Sequence, residues 1–230
     1  MIYYDFHIHS CLSPCGDMDM TPNNIVNMAA LSGLNAIAVS DHNSVGNVRA
    51  AMEVAKEVGI TVVPGMEVET SEEVHILTLY PAIEAAEIAA AEVYKKLPHI
   101  KNRPEIFGEQ AFMDREDNIT GYEEKLLISS CEMSVNELFD LVKSVGGIFI
   151  PAHVDRHSYS VLTNLGFIPD DIDIRHIEIS RMTEDQEAFL AARKELLKYE
   201  IFRNSDAHYL ENIAQAEAFL KKDSVFDIFK

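Results

Sequence analysis

The 230-residue chain carries 38 acidic and 19 basic side chains, a formal net charge of −19, and 47% of its residues are hydrophobic. This length suits one domain, 1–230, with a large core. An acidic surface repels polyanions, because nucleic-acid binding relies on lysine and arginine displacing counterions from phosphates. We therefore expect a small anionic partner at a locally positive site and no long nucleic acid.

The sequence shows no run long and apolar enough to span a membrane, and its N-terminus lacks the basic start and apolar stretch of a signal peptide. We expect a cytoplasmic protein without a membrane partner; the oligomeric state stays open.

Cys11, Cys15 and Cys131 cannot all pair, and a CxxxC spacing without a second cysteine pair is weak support for a zinc knuckle. The favoured interpretation is three reduced, structural thiols.

Short apolar runs alternate with helical patterns from the start of the chain. The run IYYDFHIH precedes a helix that Thr21 and Pro22 begin and Gly33 ends. The run AIAVS precedes the helix VRAAMEVAKEVG, which ends at Gly59. The runs ITVVP and VHILTLY follow, and Glu67 lies between them beyond a Pro-Gly turn.

The second half continues the alternation after one interruption. Residues 99–130 hold two short apolar stretches around a charged, turn-rich centre, which predicts an inserted β-hairpin. Ser134 and Glu137 form a capping box for a helix that runs to Gly146. The runs GIFIPAH, IRHIEIS and IFRNS complete the strands, and a helix is predicted from Thr183.

Strands that alternate with helices predict a parallel sheet covered by helices. Roughly seven such units favour an α/β fold of the distorted (β/α)7 barrel type, closed or nearly closed, with mostly parallel strands. A doubly wound open sheet is the alternative.

The stretch DFHIHS carries two histidines one residue apart. Side chains at i and i+2 of a strand point to the same face, about 6.6 Å apart, so His7 and His9 can converge on one metal ion. Histidines on the solvent face of an edge strand would give the same pattern. Asp206 and His208 repeat the spacing near the end of the chain.

In a parallel barrel the active site lies at the carboxyl ends of the strands. Six of the nine histidines fall at this rim, whereas His99, His157 and His176 do not. The loop after the first strand offers Asp17, with Asp19 as a competitor. The predicted metal ligands are His7, His9, Asp17, His42, Glu67, His75, His153, Asp206 and His208.

The order of these motifs resembles the polymerase and histidinol phosphatase (PHP) family over nearly the whole chain. The matching motifs are HxH, a loop acid, DH, GxE, two single histidines and DxH. The resemblance implies a distorted (β/α)7 barrel that holds up to three divalent metals and hydrolyses phosphoesters. The first loop, CLSPCGDMD, is longer than the usual spacing of the family, which leaves the choice between Asp17 and Asp19 open.

The same resemblance implies three ligand sets. The first is His7, His9, Glu67 and Asp206. The second is Glu67, His75 and His153, with Glu67 bridging. The third is Asp17, His42 and His208.

Mixed imidazole and carboxylate ligands suit zinc, iron or manganese better than calcium. Two or three such ions lower the pKa of a shared water and neutralise phosphoryl charge, so a metal-bridging hydroxide is the expected nucleophile. Arg181 and Arg156 follow rim strands and are the predicted phosphate-binding arginines, and Tyr159 is a third candidate for substrate binding. Glu67, Asp206 and Arg181 are the candidate catalytic residues.

The predicted function is hydrolysis of a small phosphorylated metabolite or nucleotide. An amidohydrolase-like C–N hydrolase also uses HxH on a barrel strand, but it commonly has a bridging carboxylated lysine, and no lysine ends a central strand here. A non-catalytic, regulatory metal-binding domain is the third hypothesis. The complete ligand set counts against it.

Overall fold

Strands and helices alternate over most of the residues that the computed structural model describes, 1–181, 183 and 185–230. The strands are β1 (Ile2–Ile8), β2 (Ala36–Val39), β3 (Thr61–Val62), β4 (Gly65–Glu69), β5 (His75–Leu79), β6 (Ala111–Met113), β7 (Ile119–Tyr122), β8 (Ile148–Pro151), β9 (His176–Ser180), β10 (Glu200–Asn204) and β11 (Phe219–Leu220). The α-helices are α1 (Pro22–Leu31), α2 (Val48–Val58), α3 (Ile83–Lys96), α4 (Pro104–Phe107), α5 (Val135–Ser144), α6 (Val161–Asn164) and α7 (Gln186–Ala192), and 3₁₀ helices span Lys194–Lys198, Leu210–Asn212 and Val225–Phe229.

The helix signals of the sequence are confirmed in the first half of the chain and in α5. The Thr21 side chain accepts a hydrogen bond from the Asn24 amide at the start of α1. Gly59 ends α2 in a left-handed conformation with φ of 85°. Ser134 and Glu137 form the capping box of α5.

The helix predicted from Thr183 begins later. Residue 184 lies outside the described residues, and Asp185 caps α7 by accepting a hydrogen bond from the Ala188 amide. After α7 the chain continues as the 3₁₀ helix Lys194–Lys198 rather than as an α-helix.

Two groups of parallel strands, one from the first part of the chain and one from the last, meet beside β1. β1, β2 and β3 pair in parallel order, with β11 antiparallel on the other edge of β1. β9 pairs with β10 in parallel. A parallel bridge between Ile8 and Ala207 then brings the segment after β10 beside β1. The residues that follow β1 and β10 therefore lie side by side.

The third sheet corrects the expectation of mostly parallel strands. β5 pairs antiparallel with both β4 and β8. Residues 70–74 alone connect β4 to β5, and a parallel crossover needs a dozen residues or more, so the chain can only reverse direction here. As a result His75, at the start of β5, lies opposite Glu69, at the end of β4.

The α/β class is confirmed, but the closed barrel is not. In the described part of the chain, strand pairing gives four separate sheets, β11-β1-β2-β3, β10-β9, β4-β5-β8 and β6-β7. Isolated contacts link three of them: a parallel bridge joins His42 to Glu67, and the Val154 amide donates to the Glu178 carbonyl at 2.9 Å.

The predicted hairpin within 99–130 is confirmed as the antiparallel pair β6–β7. It packs against the loop after β1: the Ala111 amide donates to the Cys11 carbonyl at 3.0 Å, and the Thr21 hydroxyl donates to Asp117 at 2.6 Å. At Gly108, with φ of 104°, an added Cβ would overlap the carbonyl oxygen of Pro14. The 99–130 segment, the predicted insertion, therefore supports the first loop.

A register shift in β1 divides its side chains between two apolar clusters. Tyr4 and Phe6 pack in one cluster with Leu77 and Ile150, whereas Ile8 belongs to the other. The pairing with β2 shifts between Asp5 and Ile8, and such bulges change which face a side chain meets.

Among the described residues, none of the helices combines the length and apolar character needed to span a membrane.

Candidate metal centre

The two histidines of the opening motif converge as the sequence predicts. His7 and His9 are fully buried, and their Nε2 atoms lie 3.3 Å apart. Asp206 Oδ1 lies 3.4 Å from His7 Nε2 and 3.0 Å from His9 Nε2. Asp206 adopts φ of 53°, a conformation uncommon outside glycine. His7 in β1, His9 just after it and Asp206 after β10 thus place three donors around one point.

The Glu67 carboxylate lies at the centre of the histidine cluster and is 1% exposed. Its two oxygens face five imidazoles, so it is placed to bridge more than one ion. Oε1 lies 3.2 Å from His7 Nε2, 3.0 Å from His75 Nδ1 and 3.2 Å from His153 Nε2, and Oε2 lies 3.4 Å from His9 Nε2 and 3.2 Å from His42 Nδ1.

Three groups of residues place one donor atom each within 4.8 Å of one another. His9, His42 and Glu67 each occur in two groups, so neighbouring ions would have to share these residues. The groups are His7, His9, Glu67 and Asp206; His42, Glu67 and His75; and His9, Cys15, His42 and His208.

The first loop differs from the predicted ligand set. Cys15 joins His9, His42 and His208, whereas neither Asp17 nor Asp19 belongs to any of the three groups. Asp17 is exposed, and its Oδ1 accepts a hydrogen bond from the Asp19 amide at 2.8 Å. All three cysteines are free thiols, as expected; Cys11 and Cys131 are buried, whereas Cys15 is exposed.

Behind His7 lies a carboxylate that the sequence analysis missed. Glu178 is fully buried in β9, and its Oε2 lies 2.9 Å from His7 Nδ1. The same side chain accepts hydrogen bonds from the His153 amide at 3.1 Å and from Asn204 Nδ2 at 2.8 Å. A partner on Nδ1 fixes the tautomer and leaves Nε2 for a metal. The signal was available in the sequence HIEIS, as a lone carboxylate among isoleucines.

A second network, also missed, orients His9. Its Nδ1 lies 3.0 Å from the Ser13 hydroxyl, which donates to Asp41 Oδ1 at 2.7 Å. Asp41 also accepts from the Ser10 amide at 2.7 Å and the Ser10 hydroxyl at 2.6 Å. The Asp41 carboxylate thus fixes the turn after β1, and through Ser13 it directs His9 Nε2 toward the cluster.

The electrostatics of the cluster favour a charged carboxylate among imidazoles. Burial opposes ionisation of Glu67, but His75, His7 and His42 outweigh it and hold the pKa of the carboxyl well below its usual range. Burial alone would lower the pKa of His7, but the carboxylates of Glu178, Glu67 and Asp206 outweigh burial and raise this pKa well above 6.5. Without cations, His7 itself supplies the positive charge that these carboxylates require.

Two other histidines are held neutral, the form that binds metals. Burial lowers the pKa of His42 well below its usual value, and burial together with His9 lowers the pKa of His208 to about 4. In the described part of the chain, the buried Nδ1 atoms of His42 and His153 make no hydrogen bond. Buried polar atoms normally have partners. His42 Nδ1, which lies 3.2 Å from Glu67 Oε2, therefore fits a site that a cation completes, whereas His153 faces Glu67 with its other nitrogen, Nε2.

The three predicted substrate-binding residues are placed differently from one another. Arg156 Nη1 lies 2.6 Å from Asp206 Oδ2, at the cluster. The Tyr159 ring stacks on His75 with centroids 4.8 Å apart, and it is 47% exposed. Arg181 instead pairs with Glu217 at 3.1 Å and lines a separate cavity of about 240 Å³ that also contains Arg203.

The fold and the buried cluster define a metal-binding α/β protein. The PHP domain model matches residues 5–211, and the chain therefore belongs to the PHP domain family. This confirms the resemblance seen in the sequence and the expected class, metal-dependent phosphoester hydrolases.

Two curated proteins are similar over part of the chain. A 5′-3′ exoribonuclease of Haemophilus influenzae is 37% identical over 79 residues, 33% of this chain and 28% of that protein. A phosphoribosyl 1,2-cyclic phosphate 1,2-diphosphodiesterase of Eggerthella lenta is 34% identical over 80 residues, 33% of this chain and 29% of that protein. The match thus spans less than a third of each relative.

Solved structures share the fold over nearly the whole chain. The lesion-specific endonuclease Q of Pyrococcus furiosus superposes with a TM-score of 0.72 at 18% identity, over 99% of this chain and 55% of that chain. A candidate metal-dependent phosphoesterase of Bifidobacterium adolescentis gives 0.66 at 19% identity, over 98% and 94%.

The expectation that long nucleic acid is excluded as a partner is wrong. Endonuclease Q in complex with a 27-mer duplex carrying an abasic lesion has this fold, with a TM-score of 0.67 at 19% identity over 91% of this chain and 50% of that chain. A net charge describes the whole surface, whereas binding of a phosphate depends on the charge near the site. The value of −19 therefore does not decide the size of the substrate.

Proposed function

We propose that this chain is one PHP-type domain, 1–230, that hydrolyses a phosphoester bond with two or three bound divalent transition metal ions. The observation that carries the proposal is the buried Glu67 carboxylate with imidazole nitrogens of five histidines within 3.0–3.4 Å of its oxygens. Nitrogen and oxygen donors in this mixture suit zinc, iron or manganese.

Each proposed ion has residues to hold it. His7, His9, Glu67 and Asp206 would hold the first. Glu67 and His75 would hold the second, with His153, whose Nε2 lies 3.2 Å from Glu67 Oε1. His42 and His208 would hold a third together with a ligand from the first loop, for which the sequence predicts Asp17. When bound, such ions lower the pKa of water and neutralise phosphoryl charge.

The other side chains bind and orient the substrate. Arg156 is 36% exposed beside Asp206, so its guanidinium can leave this carboxylate and bind a phosphate bidentately. The exposed Tyr159 ring offers a surface on which a sugar or base can pack. Glu178 holds His7, and Ser13 holds His9, in the tautomer that presents Nε2. Arg181 stays a prediction as a phosphate ligand.

The substrate class that we propose is a phosphoester of a nucleotide or phosphorylated sugar, free or within a nucleic acid. The exoribonuclease and the cyclic phosphodiesterase named above both act, by their names, on ribose-linked phosphodiesters. The Glu67 carboxylate among the imidazoles, where a C–N hydrolase commonly has a carboxylated lysine, supports phosphoester over C–N hydrolysis.

The test is a hydrolysis panel with the full chain, stripped of metal and then loaded with zinc, iron(II) or manganese. The panel comprises aryl phosphomonoesters and phosphodiesters, nucleotides, phosphosugars, oligoribonucleotides, a duplex with an abasic site and a cyclic amide. We expect metal-dependent phosphoester cleavage that Glu67→Gln abolishes. Cleavage of the cyclic amide alone, or binding of metal without any hydrolysis, would overturn the proposal.

A further inference from the structure

The first loop turns back on itself and brings Cys15 over the histidine cluster. The Ser13 amide donates to the Ser10 carbonyl at 3.1 Å, and the Gly16 amide donates to the Ser13 carbonyl at 2.8 Å. The next amide, of Asp17, donates to the His208 carbonyl at 2.9 Å. These bonds fix the backbone on both sides of Cys15 beside the segment that carries His208.

The Cys15 side chain lies close to three histidines of the cluster. The Cys15 sulfur and one nitrogen from each of three histidines lie within 4.8 Å of one another, a spacing that one ion can draw together; the histidines are His9, His42 and His208. Asp17, the expected ligand in this loop, uses its Oδ1 to cap the Asp19 amide.

The histidines of this group leave nitrogens for a ligand. His42 is 6% exposed; its buried Nδ1 lies 3.2 Å from Glu67 Oε2 but makes no hydrogen bond with the described residues, so this imidazole can bind an ion. His208 uses Nδ1 to contact the Asp206 carbonyl at 2.8 Å, which leaves its Nε2 unprotonated. His9 can serve the neighbouring ion with Asp206, so Cys15, His42 and His208 suffice for the third position.

We propose that Cys15 is a metal ligand of the third position, as a thiolate, together with His42 and His208. The inference rests on the proposed metal centre and specifies its chemistry. On binding, the thiol proton passes to solvent and a sulfur–metal bond forms. Thiolate donors select soft or borderline ions such as zinc, cobalt(II) or iron(II) over manganese and magnesium. This position should therefore differ in metal preference from its carboxylate-rich neighbour.

The test uses cobalt(II) as a spectroscopic probe, since a thiolate ligand adds a sulfur-to-cobalt charge-transfer absorption in the near ultraviolet. Wild type, Cys15→Ser, Cys15→Asp and Asp17→Asn are loaded with cobalt, and Cys11→Ser serves as the matched control. Cys11 is fully buried and lies outside all three groups. We expect the absorption in wild type, Cys11→Ser and Asp17→Asn and its loss in both Cys15 variants.

A second readout is alkylation of the exposed thiol. Zinc should slow the reaction of Cys15 with iodoacetamide by about tenfold or more, and Cys15→Ser should bind roughly one equivalent of zinc less than wild type. Cys15→Asp should recover the lost equivalent with manganese, because it supplies a hard oxygen donor.

The outcomes separate this inference from the proposed function. Cobalt bound without charge-transfer absorption, or alkylation at the same rate with and without zinc, overturns the Cys15 ligand and leaves the phosphoesterase proposal intact. Absorption that depends on Cys15 in a protein without hydrolytic activity supports the ligand and overturns the proposed function. A wild type that binds no transition metal overturns both.

Discussion

The Nδ1 atom of His7 lies 2.9 Å from Oε2 of Glu178, and both side chains are fully buried. This contact joins β1 to β9, which lie in separate sheets of the described structure. Asn204 completes it from β10, donating through Nδ2 to Glu178 and accepting through Oδ1 from the Phe6 amide at 2.8 Å. One carboxylate therefore fixes both the orientation of a metal ligand and the approach of three strands.

Glu178→Gln should weaken metal binding without removing a ligand. The amide has the shape of the carboxylate but lacks its charge, so it no longer favours the Nδ1–H tautomer of His7. We expect zinc affinity to fall by about 10–100-fold, measured by competition with a chelator. Glu217→Gln, which changes an exposed carboxylate, is the control and should bind zinc as wild type does. Equal affinity in Glu178→Gln and wild type would contradict the orienting role.

Glu67→Gln should lose metal and activity together. Both carboxylate oxygens face imidazoles, so one substitution alters the donors of two proposed ions. We expect kcat/KM to fall by at least about a hundredfold, with metal content determined by elemental analysis. Glu73→Gln is the matched control, because Glu73 is exposed in the turn that follows β4. Wild-type turnover in Glu67→Gln would show that this carboxylate is no bridge.

The metal-free protein should lose stability as the pH rises above neutrality. Burial alone would lower the pKa of His75, but the carboxylates of Glu67 and Glu69 outweigh burial and raise this pKa from 6.5 to about 9. A raised pKa means that the folded state favours the protonated imidazole, so its contribution is fully present below pH 6.5 and is lost as the pH passes 9. We expect the free energy of unfolding to fall by about 1–3 kcal/mol over this interval.

Denaturant titrations of the chelated protein between pH 6.5 and 9 measure this change. His75→Gln should reduce the slope, because it removes one of the titrating groups. Zinc affinity should rise over the same interval, since a metal binds the neutral imidazole. Stability of the metal-free protein that stays constant or increases from pH 6.5 to 9 would contradict the pKa of His75.

Part of the centre was predictable because the period of a strand aligns the HxH pair, and His7 and His9 converge. Asp206 and His208 lie beyond β10, so strand periodicity does not account for their positions. His75 shows where that reasoning is incomplete. It begins its strand, which in a parallel barrel is the wrong end, yet it contacts Glu67 because β5 runs antiparallel. The direction of a strand depends on the length of the connection before it, and the short 70–74 turn was the available signal.

Other features depend on tertiary structure that the sequence pattern does not encode. Phe6 and Ile8 lie two residues apart in β1, yet they pack in different apolar clusters, because the pairing of β1 with β2 shifts between Asp5 and Ile8. Periodicity assumes an unbroken register. Cys15 likewise reaches the histidines through the fold of a loop, whereas the position in the loop and the family resemblance favoured Asp17.

Substitution of the two rim arginines should separate their roles. Arg156 contacts Asp206 at the cluster, so Arg156→Ala should lower kcat/KM by about ten- to a thousandfold through loss of a charged phosphate ligand. The sequence predicts a similar fall in kcat/KM for Arg181→Ala. In the structure, however, the Arg181 guanidinium pairs with Glu217. Steady-state kinetics on one phosphodiester compare them, with Arg175→Ala as the exposed control. Unchanged kinetics in Arg156→Ala would remove this arginine from the site.

Gly108→Ala should test whether the insertion supports the metal-binding loop. The backbone of Gly108, with φ of 104° and ψ of 167°, lies in a region essentially restricted to glycine, and a Cβ would overlap the Pro14 carbonyl next to Cys15. Gly166→Ala is the control, because Gly166 also has positive φ, 82°, but an added Cβ would lie more than 4 Å from every described residue other than its chain neighbours.

We expect Gly166→Ala to cost about 1–2 kcal/mol of unfolding free energy, from the left-handed backbone alone. Gly108→Ala should cost more than about 3 kcal/mol, because the overlap forces the insertion away from the first loop. Only Gly108→Ala should also weaken metal binding at the loop, since displacement of Pro14 moves the neighbouring Cys15. Chemical denaturation and zinc stoichiometry measure the two effects. Equal destabilisation by both substitutions, with full zinc content in Gly108→Ala, would show that the first loop holds its conformation without the insertion.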